Sequence, residues 1–304
     1  MKLGLLTAAF REQTLEEIMD FASETGLDCL EVSCSPPPGF FRRDVGPGHI
    51  DVLNLSEEKA KEIRERCEDK NIRISSLAWY ANHLDPDPEH RAVCHAHLMK
   101  VMDASAMLGV NMVTTFIGRV DGKTVTENLK VLEEAWTPLL RHAEETGVRI
   151  AIENCPMWFT DEHWPGGKNI MTTPANWRKV FEILGSPCLG LNFDPSHFVW
   201  QQLDYIRPIY EFRDRIFHVH FKDTRILRER LADVGIMANQ GEYMLAKVPG
   251  LGEIDWPAFI SALADIGFKG CGVIELEDRA FEDSPESVRK GIRLGTRYLR
   301  NFII

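Results

Sequence analysis

What most constrains this 304-residue chain is an unbroken alternation of two kinds of segment. Eight short runs rich in β-branched and aliphatic residues are each followed by an amphipathic stretch. The runs are KLGLLTA (2–8), LDCLEVS (27–33), IRISSLAW (72–79), NMVTTFIG (111–118), VRIAIEN (148–154), CLGLNFD (188–194), RIFHVHF (215–221) and GCGVIEL (270–276). The helical stretches fall at 14–25, from Ser56 onward, 88–108, 124–146, 174–184, 202–211, 256–266 and 284–301. Ser56 followed by Glu57 and Glu58 reads as an N-cap with acids at the positive helix end. Gly26 and Gly147 stand where a C′ glycine stops a helix.

Strands that are apolar on both faces belong in a parallel sheet covered by helices. Eight such β-then-α units close a (β/α)8 TIM barrel. A doubly wound dinucleotide fold lacks support, because the first turn reads TAAFRE and carries no G-x-G-x-x-G. No low-complexity linker divides the chain, so 1–304 is read as one domain.

Composition narrows the function classes. A hydrophobic share of 44% is ordinary for a globular protein with a large core. A net charge of −11 disfavours a surface that grips nucleic acid through its phosphates. The seven cysteines show no C-x-x-C spacing, which fits a reducing compartment. KLGLLTA is too short for a signal segment, and no apolar run approaches the ~20 residues of a membrane span. The expectation is a cytoplasmic protein that acts on a small molecule, with a homo-oligomer allowed and neither nucleic acid nor membrane as partner.

Chemistry concentrates where strands end. Glu153, Asp194, His220 and Glu275 each sit as an apolar run gives out, on the fifth to eighth strands. Barrels gather those ends at one mouth, where their chemistry resides. Side chains alternate along a strand, so Ala151 and Glu153 share a face, as do His218 and His220, and Val273 and Glu275. Three carboxylates crowded together repel one another unless cations intervene. The set has no thiol and is rich in oxygen, which suits one divalent ion, Mn²⁺ first, then Mg²⁺ or Co²⁺, with Zn²⁺ less favoured.

Other polar residues read more blandly. His218 is expected to be a hydrogen-bonded interior residue, and His95 and His97 to lie on a solvated helix face. Lys222 and Asp223 offer either a salt bridge to a ligand or a supporting role beside it. Loops 34–55, 154–173 and 222–255 exceed the usual length and read as lids or binding walls. Trp79, Trp158 and Trp164 lie near them.

In IENCP (152–156), NFDPSH (192–197), HVHFKDTR (218–225), PGLGEIDW (249–256) and GVIELED (272–278) the chain resembles the sugar isomerase/epimerase group of xylose-isomerase-like TIM barrels. That group includes ketose 3-epimerases, inosose dehydratases and hydroxypyruvate isomerases; the endonuclease IV proteins are more distant. The resemblance spans essentially the whole chain. It implies the same four metal ligands, with Glu153 and Glu275 doubling as acid and base on opposite faces of the substrate. It also implies substrate contacts from His83, His197 and Arg225.

The leading expectation is a metal-dependent isomerase or epimerase of a ketose or keto-sugar, working through an enediolate. The alternative is a dehydratase of a keto-inositol or dehydro-sugar that uses the same site. A phosphodiesterase would need more ligands and a basic groove, and a barrel that only binds sugar would not need two intact glutamates.

Overall fold

Burial on both faces is what the strand sequences encode, and the structure places them accordingly. It is a computed structural model that describes residues 1–36, 48–158, 160 and 166–303. The barrel strands are β1 (Lys2–Leu6), β2 (Cys29–Ser33), β3 (Arg73–Ala78), β4 (Met112–Thr115), β5 (Arg149–Glu153), β6 (Leu189–Phe193), β7 (Ile216–Phe221) and β10 (Cys271–Ile274). They close in the order β1-β10-β7-β6-β5-β4-β3-β2, with every pairing parallel.

Helices α1 (Leu15–Thr25), α2 (Glu57–Lys70), α3 (Pro88–Met107), α4 (Val125–Thr146), α5 (Pro174–Leu184), α9 (Trp256–Asp265) and α10 (Pro285–Leu299) follow successive strands. Their ends obey local chemistry. Thr14 with Glu17 and Thr124 with Glu127 form capping boxes, and Ser56 caps α2. Gly26 and Gly147 end α1 and α4 in the left-handed conformation, with φ of 74° and 68°.

Two apolar layers result. The larger lies between strands and helices and includes Trp136, Trp177, Phe193, Phe221 and Trp256. Each such side chain contributes roughly 1.5–3 kcal/mol on burial. The smaller layer, inside the barrel, is Leu6, Cys29, Ala78, Cys271 and Val273. Most of the remaining interior is polar, which is unusual for a packed core and marks where the chemistry lies.

The structure departs from the expected layout in the second half. Of the expected 202–211 helix only α7 (Arg207–Glu211) forms, and another short helix, α6 (Ser196–Trp200), precedes it directly after β6. The 222–255 loop is ordered: β8 (Asp223–Ile226) pairs antiparallel with β9 (Met244–Lys247) around α8 (Arg228–Val234). One carboxylate organises this excursion. Asp223 accepts from the backbone N–H of Thr224, Gly250 and Ile254 and from the Trp256 indole. A Cβ on Gly252 would stand 2.1 Å from that carboxylate, so only glycine fits there.

His95 and His97 are not on a solvated face. His97 is buried, donates from Nε2 to Cys34 O (2.8 Å) and packs edge-on against Trp79, while His95 donates from Nε2 to His83 O (2.8 Å). Trp79 therefore belongs to the outer wall. Trp158 and Trp200 form a small satellite core with Ile226 and Tyr243 beneath the hairpin. Trp164, residues 37–47 of the first long loop and residues 159 and 161–165 of the second lie outside the described residues.

Candidate metal centre

The interior-facing positions of four strands converge as the alternation requires. Glu153, Asp194, His220 and Glu275 each offer a ligand atom, and these atoms all lie within 4.8 Å of one another. Glu153, Asp194 and His220 are buried, and Glu275 is partly open at the mouth.

The ends of β5 and β6 are tied together by a reciprocal amide. Asn154 donates to Asp194 O (2.8 Å) and accepts from Asp194 N–H (2.7 Å). Ser196 N–H occupies Asp194 Oδ1 (2.8 Å), which leaves Oδ2 facing the centre. Asn169 Nδ2 holds Glu153 O (2.9 Å). Backbone contacts thus aim both carboxylates inward.

His220 is oriented from behind. Its Nε2 lies 2.8 Å from Glu31 Oε2, and its Nδ1 faces Glu275 Oε2 (3.1 Å) and Glu153 Oε1 (3.6 Å). A carboxylate behind a ligating imidazole fixes the tautomer and raises ligand basicity. Glu31 is itself held by Tyr80 and Thr114 hydroxyls, each 2.6 Å from Oε1. Register shifts at Leu30/Glu31 and Leu191/Asn192 interrupt β2 and β6 beside this network, as bulges that re-aim side chains do.

Lys222 enters the cluster from the end of β7. Its ammonium lies 2.7 Å from Glu275 Oε2, 3.1 Å from Asp194 Oδ2 and 3.1 Å from Glu277 Oε2. The sequence left it between salt bridge and supporting group; its geometry makes it an ion-pair partner of two of the four. One ammonium against Glu153, Asp194, Glu275 and Glu277 still leaves the site strongly anionic.

The electrostatics follow from this crowding. Burial opposes ionisation of Asp194, yet Lys222 and His197 hold its carboxyl far below the usual range. Glu153 is likewise lowered against its burial, by His197 and His220. Glu31 falls to about 2 despite complete burial, because of His220 first and then His218. Burial disfavours charge on His220 and Lys222, but the surrounding carboxylates push both well above their ordinary values. The site therefore seeks positive charge.

The donor set fits a divalent ion. Glu153 Oε1 and Asp194 Oδ2 are buried without a well-formed hydrogen bond, as a pair of ligand atoms would be in the absence of their ion. Two overlapping trios fit less well. In Glu31–His218–His220 the oxygens and ring nitrogens already have partners, His218 bonding to Asn192 Oδ1 and Ser75 Oγ at 3.0 Å each. In Glu153–Cys155–His197 the thiol is raised by burial and its sulfur accepts from Met157 N–H.

Of the further residues, His197 joins the centre: its Nε2 is 3.2 Å from Asp194 Oδ2 and 3.5 Å from Glu153 Oε1. His83 does not. It is fully buried, bonds to Thr115 Oγ1 (2.9 Å) and packs edge-on against Trp136, because the chain after β3 turns the ring toward α3 and α4. Since the Thr115 hydroxyl donates to Trp79 O (2.6 Å), the His83 ring donates from Nε2. Arg225 is exposed on β8, where its backbone pairs with Leu245, and its side chain makes no hydrogen bond or ion pair among the described residues. Glu31 was missed; an acid enclosed by Leu30 and Val32 in a fully buried strand was the available signal.

Known proteins resemble this chain in sequence and in fold. YfiH, an uncharacterized protein of Bacillus subtilis (strain 168), is 28% identical over 340 aligned positions, covering 100% of this chain and 99% of that protein. The inosose dehydratase of Bacillus thuringiensis (strain Al Hakam) is 25% identical over 294 positions, covering 91% and 90%. Among solved structures, D-psicose 3-epimerase from Clostridium cellulolyticum H10, determined with D-tagatose, superposes with a TM-score of 0.71 at 17% identity and covers 100% and 99%. The profile of the xylose isomerase-like TIM barrels matches residues 19–301, and the chain belongs to that family.

Proposed function

We propose that this chain is a divalent-metal-dependent isomerase or epimerase of a ketose or keto-sugar. The observation that carries the reading is the convergence of two glutamates from different strands, with Asp194 and His220, on a space one ion would fill. Glu153, Asp194, His220 and Glu275 would hold that ion, Mn²⁺ being the best match to an oxygen-rich set. When bound, it would supply a Lewis acid that polarises a carbonyl.

The chain's own residues do the rest. Glu153 and Glu275 remove and return the proton on the carbon beside the carbonyl, and the substrate passes through an enediolate. His197, against Glu153 and Asp194, holds a substrate oxygen. Arg225 is proposed to do the same from the hairpin, with loss of its guanidinium raising KM more than it lowers kcat. Lys222 keeps the carboxylates apart in charge and in place. All seven cysteines are free, in keeping with a cytoplasmic setting, and no helix among the described residues is long and apolar enough to cross a membrane.

A dehydratase is the second reading, favoured by the Lys222 ammonium 2.7 Å from Glu275, which places a proton donor beside a base, and by the similarity to inosose dehydratase. Incubation with keto-sugars and inososes in deuterated water separates the two. Isotope uptake with unchanged composition is expected for epimerisation; enone absorbance with loss of water would assign the lyase. Neither signal from any substrate, with metal bound, would overturn both.

A further inference from the structure

At the opposite end of the barrel the chain builds a second chemical site. A cavity of about 940 Å³ opens at the N-terminal ends of the strands. Lys2, Arg64, Arg73, Arg149 and Lys269 line it, against Asp28 and Glu68. Asp28 is already engaged by Leu3 N–H (2.9 Å) and Arg300 (2.9 Å). On a chain of net charge −11 this is a local reversal of sign.

Cys271, at the start of β10, forms part of the cavity wall. Its sulfur accepts from Arg73 Nη2 at 2.9 Å, and Cys29 lies in the same small buried cluster. The two thiols meet across β1, where Lys2 pairs with Cys271 and Gly4 with Cys29. A Cβ on Gly4 would stand 2.6 Å from Cys29 Sγ, so glycine there makes room for the contact. Cys29 is fully buried and absent from the cavity wall, whereas Cys271 is 6% exposed and reaches it.

We propose that Cys271 is a reactive thiol at which small organic disulfides bearing carboxylates form a mixed disulfide, drawn in by the cation-lined cavity. The Cys271 sulfur attacks one sulfur of the reagent, a new S–S bond forms, the original one breaks, and the other half leaves as a thiolate. Arg73 and Cys29 are positioning residues that stabilise the attacking thiolate. The neighbouring Cys29 thiol, working against burial and helped by Arg73, brings the Cys271 thiol down to about 7, and burial raises those of Cys94 and Cys67 to about 12 and 11. Charged groups facing Cys271 from its neighbours are Lys2, Asp28, Arg73 and Lys269, with His218 its strand partner on β7.

The test uses the intact native protein and two disulfides, dianionic 5,5′-dithiobis(2-nitrobenzoate) and neutral 2,2′-dithiodipyridine. One fast equivalent is expected, located on Cys271 by peptide mass spectrometry of the wild type and lost in Cys271→Ser. Lys269→Glu with Arg149→Glu should cut the rate with the dianion by ~10-fold relative to the neutral reagent, the scale of electrostatic steering. The wild-type rate should rise with pH to half-maximum near 7, and Cys29→Ala should move that midpoint upward. A fast label on another cysteine, an unchanged reagent ratio in the charge-reversed variant, or a midpoint unmoved in Cys29→Ala would each overturn the proposal.

Discussion

The two ends of one barrel interior have opposite chemistries. The mouth gathers Glu153, Asp194 and Glu275 around His220 and Lys222; the floor gathers Cys29 and Cys271 under Arg73, with basic side chains outside. The same inward faces supply both, since Cys271, Val273 and Glu275 follow one another at alternate positions along one strand and its extension. Position along the strand, more than residue type, decides the role. Carboxylates that loops and amides can aim from outside sit at the mouth, and small side chains that fill a taper sit at the floor.

Substitutions can break that comparison at either end. The largest effect is expected from Glu275→Gln, which should lower solvent-deuterium exchange by ~10³-fold, the range of lost general acid–base catalysis, with an unchanged circular dichroism spectrum. Full exchange in that variant would remove Glu275 from the mechanism. Glu31→Gln replaces no proposed ligand yet loosens His220, so metal affinity should fall ~10–100-fold by calorimetric titration. At the floor, Gly4→Ala forces a Cβ to 2.2 Å from Cys29 O and should cost about 1–3 kcal/mol in chemical denaturation, with metal affinity unaltered. Lys222→Met acts with the opposite sign to Glu31→Gln. Its ammonium competes with the ion for Asp194 and Glu275, and its removal should tighten metal binding by about fivefold, one unit charge at 4 Å in water being worth ~1 kcal/mol.

Much of this was legible in the sequence because periodicity carries it. The eight units, their caps and the four converging residues follow from alternation and from the rule that barrel chemistry sits at strand ends. Glu31 escaped because it lies inside a strand, where an acid next to Leu30 and Val32 looks like an ordinary buried-strand interruption until the facing His220 is known. Lys222 was read only as an even choice, since neutralisation depends on neighbours from three other segments. His95 and His97 were misplaced because pattern reading counts imidazole as polar, whereas its apolar body packs well against Trp79 and His83. The hairpin of β8 and β9 was hidden because Asp223 organises it through contacts with residues up to 33 positions away.

The central claim is that four side chains at the mouth grip one ion. Titration of Mn²⁺ into chelator-treated protein, followed by calorimetry, tests it most directly. The account predicts one ion per chain for the wild type and loss of that binding in Asp194→Asn with the fold retained. Absence of binding by Mn²⁺, Mg²⁺, Co²⁺ and Zn²⁺ alike, or undiminished binding in Asp194→Asn, would contradict it.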